Sequence, residues 1–179
     1  MIAYDLIGQT PLVLLESFSD ENVKIYAKLE QFNPGGSIKD RLGKYLIEKA
    51  IDEGRLKEGD TIVEATAGNT GIGLAIASNR HKVKCIIFAP EGFAEEKISI
   101  MKALGADVRR TPKAEGMTGA QQEALAYATR YGYLYMNQFE TKDNPGAYTQ
   151  TLAKQLTDEL SHIDYFVAGV RSEERRVGK

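Results

Sequence analysis

The sequence predicts an α/β fold in which a parallel sheet carries helices on both faces. Strand-like runs recur at 61–65 (TIVEA), 83–89 (VKCIIFA), 107–111 and 133–136. The segments between them are longer and either repeat apolar residues at helical spacing or are small and apolar. Strands that alternate with helices of ten or more residues form βα units, and such units build parallel sheets covered on both sides.

Each element has its own justification. Ile7-Gly8-Gln9-Thr10-Pro11-Leu12 is a turn that leads into a short apolar run over 12–15. Residues 23–29 alternate as a strand does, with Val23, Ile25, Ala27 and Leu29 on one face. Asn33-Pro34-Gly35-Gly36 then turns the chain, and Ser37 with Asp40 three residues on has the form of a capping box. A helix is therefore expected from near Ser37. Leu42, Tyr45, Leu46, Ala50 and Ile51 recur at helical spacing, and Gly54 suggests the stop. The small residues of 71–78 suit a helix packed closely on a sheet, and Pro90 ends the run 83–89. The pattern continues with helices over 95–104, 118–130 and 145–160, and a last buried strand is expected at 165–170 (YFVAGV).

Composition narrows the function classes. With 42% hydrophobic and 27% charged residues in 179, the chain is long enough for one sizeable core. A net charge of −2 does not suggest a nucleic-acid partner. No basic segment followed by an apolar run opens the chain, and no apolar stretch approaches the roughly 18 residues of a membrane helix, so it reads as cytoplasmic. Cys85 is the single cysteine, lies mid-strand and reads as a small buried hydrophobe. His81 and His162 show neither metal spacing nor a triad.

Three stretches can carry chemistry. The first is Asn33-Pro34-Gly35-Gly36-Ser37-Ile38-Lys39-Asp40-Arg41, which places Lys39 in the first turn of a helix. A cation is disfavoured there, so the amine is expected to deprotonate more easily and to be able to attack a carbonyl. The plainer reading is an exposed lysine whose charge is offset by Asp40. The second is Thr66-Ala67-Gly68-Asn69-Thr70-Gly71-Ile72-Gly73, between a strand and a helix. Backbone N–H groups at such a turn suit a phosphate or carboxylate, although tight-turn glycines alone have the same appearance. The spacing is G-x-x-G-x-G, not the dinucleotide fingerprint, and no Gly-Lys-Ser/Thr phosphate loop occurs. The third is Asn137-Gln138-Phe139, at another strand end, where an amide can donate to a carboxylate.

Together these residues resemble the cysteine synthase and cystathionine β-synthase family of fold-type II enzymes, which depend on pyridoxal phosphate (PLP). Ile7-Gly8-Gln9-Thr10-Pro11-Leu12, Gly116-Met117-Thr118-Gly119-Ala120 and the span from Gln138 to Pro145 are similar to family positions in the same order. The resemblance implies that Lys39 holds PLP covalently and then removes the substrate's Cα proton. It implies that Asn69 hydrogen-bonds the cofactor's ring hydroxyl. Thr66, Ala67, Gly68, Asn69, Thr70 and Gln138 are expected to bind the α-carboxylate. The implied reaction is β-replacement: an activated serine such as O-acetylserine loses its β-substituent, and sulfide or a thiol adds to give L-cysteine or a thioether. Full-length family members are expected to be homodimers.

Two departures stand against this resemblance. Ala67 occupies a position where the family often has Ser, and the Ala variant is associated with cysteine synthase-like enzymes, including ones that use homocysteine. The family's Gly-Ser/Thr-Gly-Gly-Thr phosphate loop is expected after 165–170, but 171–179 follows instead, with six of nine residues charged. Residues 1–170 therefore read as the N-terminal α/β part of such an enzyme, including first strands that join a largely missing second domain. Residues 171–179 read as a tail foreign to the pattern, although a charge run is ordinarily just a solvated tail. The expectation is a fragment with weak PLP binding and little activity. A threonine dehydratase or serine racemase-like lyase, a non-enzymatic partner of a full-length homologue, and a nucleotide-binding oxidoreductase remain as other readings.

Overall fold

The computed structural model describes residues 2–169. Strand β1 (Leu12–Leu14) pairs antiparallel with β2 (Tyr26–Lys28) as a separate two-stranded ribbon. Helix α1 (Lys39–Asp52) follows, then strand β3 (Thr61–Ala65) and helix α2 (Asn69–Arg80). Next come β4 (Lys84–Pro90), α3 (Glu95–Ala103), β5 (Asp107–Thr111), α4 (Gly116–Tyr131) and β6 (Leu134–Tyr135). Helix α5 (Asp143–Tyr148), a π-helical turn (Thr149–Ala153) and α6 (Lys154–Glu159) close the described part. Strands β3 to β6 form one parallel sheet in the order β5-β4-β3-β6.

The alternation within β3 sorts the core into two layers. Ile62 joins Leu42, Leu46, Leu74, Ile87 and Met101 on the face covered by α1 and α2. Val63 and Ala65 join Ile86 and Phe88 on the other face, where α4 contributes Ala120, Ala124 and Ala128. All five residues of β3 are buried, as expected of a central strand covered on both sides. Because the four strands are parallel, the helices that follow β3, β4 and β5 start near one edge of the sheet, the carboxyl edge. Helix α1 precedes β3, so its start lies at that edge as well.

Glycine decides how closely α1 and α2 approach. A Cβ on Gly43 would run into the Gly73 backbone, and a Cβ on Gly73 would run into the Lys39 carbonyl. The two helices therefore touch backbone to backbone at their N-terminal halves.

Several boundaries differ from the sequence expectation. The strand expected over 23–29 is paired only at Tyr26–Lys28, and Val23 and Ile25 are exposed. The helix expected over 145–160 is present but changes to π geometry in its middle. The buried strand expected at 165–170 is absent over 165–169, where Tyr165 and Val167 are 89% and 91% exposed; residue 170 lies outside the described residues. Residue type confers a capacity for strand, but a strand also needs a neighbour, and the outer strand β6 has only two paired residues. Among the described residues no helix is long and apolar enough to cross a membrane.

Candidate active site

Helix α1 begins at Lys39, as the turn motif requires, but without the expected capping box. Ser37 Oγ accepts from the Lys39 N–H at 3.2 Å, and the Asp40 carboxylate reaches back to the Gly35 N–H. A Cβ on Gly35 would collide with that carboxylate, which is why this turn position carries no side chain. Asp40 is fully buried and does not offset Lys39. Burial pushes its carboxyl up to about 6 against the opposing Gly35 N–H, and the Glu30 charge adds to the rise.

The next residue, Arg41, locks the whole turn in place. Its guanidinium is 2% exposed and donates to both Glu30 oxygens at 2.7 and 2.8 Å. It also donates to the Gly8 carbonyl, Thr10 Oγ1 and Gln155 Oε1. Asn33 Oδ1 accepts from the Gly8 N–H at 2.8 Å, and Asn33 Nδ2 donates to Glu30. Burial pushes the Glu30 carboxyl up, but the hydrogen bonds from Arg41, Thr10 and Asn33, with the Arg41 charge, outweigh it and leave Glu30 below its ordinary value. The Gly8-Gln9-Thr10 motif is thus the far half of a clamp on the lysine turn.

The second motif forms the turn from β3 into α2. Thr66 and Thr70 are buried, while Ala67, Gly68 and Asn69 are partly exposed. Thr66 Oγ1 accepts from the Gly68 N–H at 3.1 Å, and α2 starts at Asn69. The first-turn N–H groups of a helix lack intrahelical partners and collectively favour an anion. Gln138, after β6, is 7% exposed and accepts from Thr70 Oγ1 at 2.6 Å. Asn144 Nδ2 holds the Gln138 carbonyl at 2.8 Å.

Two residues here carry no signal in the sequence motifs. Glu64, fully buried in β3, accepts from the Ala65 N–H at 2.8 Å and from the Gln138 N–H at 3.0 Å. Burial pushes its carboxyl up to about 7, against those two donors. Its glutamate identity inside an apolar strand was the one available hint. Tyr148, where α5 passes into the π turn, bonds the Lys39 amine through its hydroxyl at 3.1 Å. Among the described residues Lys39 forms no ion pair.

The Gly43–Gly73 contact brings the first two motifs together. Gly73 touches the Lys39 carbonyl, and Asn69 stands one helical turn before Gly73, so the amine and the 66–70 turn share the carboxyl edge. Gln138 joins them through Thr70. The 116–120 motif opens α4 on the opposite sheet face, where Met117 packs against the second core layer. Cys85 is buried in β4, where burial pushes its thiol up to about 12, and His81 packs edge-on against Tyr4.

The Lys39 amine on the Tyr148 hydroxyl and a turn of helix-start N–H groups share one edge of the sheet, an arrangement chemically able to meet a carbonyl compound and an anionic group. A family model described as pyridoxal-phosphate dependent enzyme matches residues 3–173, and the chain belongs to that family. It is 48% identical over 171 residues to the O-acetylserine dependent cystathionine beta-synthase of Bacillus subtilis, covering 94% of this chain and 56% of that protein. It is 46% identical over 177 residues to a cysteine synthase of Helicobacter pylori, again covering 94% and 56%. The crystal structure of the O-acetylserine dependent cystathionine beta-synthase from Helicobacter pylori superposes with a TM-score of 0.82 at 45% identity, covering 89% of this chain and 55% of that one. The fold is that of fold-type II PLP enzymes, and the chain spans about half the length of the relatives it matches.

The residues present fit the family's cofactor at two points. Lys39 is free of ion pairs among the described residues, so its amine can meet an aldehyde, and Asn69 at the partly exposed start of α2 carries an amide able to hydrogen-bond a ring hydroxyl. The Gly-Ser/Thr-Gly-Gly-Thr phosphate loop does not occur in the sequence.

Proposed function

We propose that this chain carries the lysine and substrate-carboxylate half of a PLP-dependent β-replacing enzyme that makes L-cysteine from an O-acetylserine-type substrate and sulfide. The observation that supports the reading is the close backbone approach of Gly73 to Lys39, which brings the start of α1 to the start of α2, where the 66–70 turn lies. Lys39 is the attachment point for the cofactor's aldehyde and the base that takes the Cα proton. Asn69 would hydrogen-bond the cofactor's ring hydroxyl. Thr66, Ala67, Gly68, Asn69 and Thr70, with Gln138, hold the α-carboxylate and so fix the Cα–H bond toward Lys39. The cofactor supplies the electron sink that makes Cα acidic; the protein supplies position and proton transfer.

Residues 1–170 are the first part of this enzyme; the family match runs on to residue 173. The complete enzyme is a cytoplasmic homodimer. Homocysteine in place of sulfide is a second reading, supported by Ala67 and by relatives named O-acetylserine dependent cystathionine beta-synthase.

The test is a product assay on the purified chain with PLP and O-acetylserine, offering sulfide or homocysteine. Slow formation of cysteine, abolished by Lys39→Ala, is the expected result. Cystathionine as the main product selects the second reading. Keto acid without either thiol product contradicts both.

A further inference from the structure

Among the described residues Glu64 is a buried carboxylate that forms no ion pair. Its side chain has no exposed surface, and both oxygens are taken by backbone donors, Ala65 N–H and Gln138 N–H. The Gln138 side chain in turn accepts from Thr70 and donates to the Ala65 carbonyl at 3.4 Å. The two ends of this chain of bonds are the floor of the sheet and the first turn of α2.

We propose that Glu64 is a positioning residue of the carboxylate site, fixing Gln138 and through it Thr70, and that it takes up a proton when a carboxylate binds at the 66–70 turn. The second half of this inference rests on the reading of that turn as the substrate-carboxylate site.

The argument is electrostatic. The titratable neighbours of Glu64 are Cys85 on β4 and Tyr135 on β6, both pushed upward in part by its charge, with Glu140 beyond acting on Tyr135 in the same sense. None of these can compensate an anion. The buried charged residues of α1, Asp40 and Arg41, are committed to Gly35 and Glu30, and the cation of α2, Arg80, lies at its far end. A buried charge with no opposite charge is held in ionised form only by its hydrogen bonds. Burial already places its titration near neutrality. A second anion brought to Thr70, one hydrogen-bonded residue away, disfavours the ionised form further. The incoming carboxylate must also draw the Thr70 hydroxyl away from Gln138 Oε1, and Glu64 keeps the Gln138 backbone in place while that bond is exchanged.

The experiment follows the Ala65 and Gln138 backbone amides of the full 179-residue chain by NMR between pH 5.5 and 8.5, without cofactor. The two proton shifts are expected to move together with one midpoint near neutral pH, and to stay flat in Glu64→Gln. Flat shifts in the wild type overturn the proposal, whatever the behaviour of the variant. Acetate is then added as the carboxylate probe and is expected to perturb the 67–70 amides and raise the midpoint by about one pH unit. Perturbed amides with an unmoved midpoint overturn the coupling alone. Unperturbed amides overturn the carboxylate reading of the turn and the coupling with it, while the positioning role still stands or falls on the titration.

Discussion

The molecule holds two glutamates within reach of its candidate site, Glu30 half-buried and Glu64 fully buried, and treats them oppositely. Glu30 meets a guanidinium in a two-point ion pair and is held below its ordinary value. Glu64 meets, among the described residues, the Ala65 and Gln138 N–H groups and the Gln138 side chain but no cation, and burial holds it well above its ordinary value. The first glutamate belongs to a rigid clamp, tying the N-terminal turn to the start of α1 two residues from Lys39. The second lies under the turn that is to receive a ligand. Permanent pairing suits the part that must not move, and a carboxyl near its titration point suits the part that must respond to charge.

The comparison breaks most visibly at Arg41. Arg41→Ala leaves the half-buried Glu30 without its guanidinium. Loss of one partner of a fully buried pair costs up to about 5 kcal/mol, and partial exposure of Glu30 sets the expected loss at about 3 kcal/mol. Urea unfolding should show a loss of that size, and Arg41→Met with Glu30→Leu should recover most of it.

A smaller effect is expected from Gly73→Ala. The added Cβ meets the Lys39 carbonyl, which is backbone and cannot swing aside, so α1 and α2 must separate. Overpacking of this kind costs about 1–3 kcal/mol. The same unfolding measurement reads it, and the variant should lose cofactor capture at Lys39 while keeping its fold.

The dependence of stability on pH sharpens the contrast between the two carboxylates. Glu64 and Asp40 titrate near 7 and 6 when folded but near 4.5 and 3.8 when unfolded. In that window the folded state binds more protons, so stability falls as pH rises from about 4 to about 7. Glu64 contributes about 3 kcal/mol to this fall. Glu30 acts in the other direction, stabilising above its unfolded value and losing that contribution as pH drops through its folded one. Unfolding midpoints at pH 5 and pH 8 check the sign, and Glu64→Gln should flatten most of the difference.

The parts of the fold set by local pattern were legible in the sequence. The strands at 61–65 and 107–111 fall where their residues predict, and the helix of 145–160 is present despite its π turn. The parts that depend on a distant partner were not. Residues 165–169 have the composition of a buried strand but pair with no strand among the described residues, and the Asp40 carboxylate accepts from the Gly35 N–H, a partner the S-x-x-D spacing does not name. In the candidate site, Lys39, the 66–70 turn and Gln138 stand out in the sequence because each lies in a contiguous motif. Glu64, Tyr148 and the Arg41–Glu30–Gly8 clamp act through contacts between residues 11 to 109 positions apart, which spacing does not reveal.

The measurement that tests the central claim most directly is capture of PLP by Lys39. The chain is incubated with PLP and reduced with borohydride, and the modified peptides are identified by mass spectrometry beside Lys39→Ala. The account predicts label concentrated on Lys39, lost in the variant, with little absorbance retained after gel filtration of the unreduced sample. Label spread over the surface lysines, with Lys39 no more modified than the rest, would contradict the assignment of this edge as the cofactor-binding half of the enzyme.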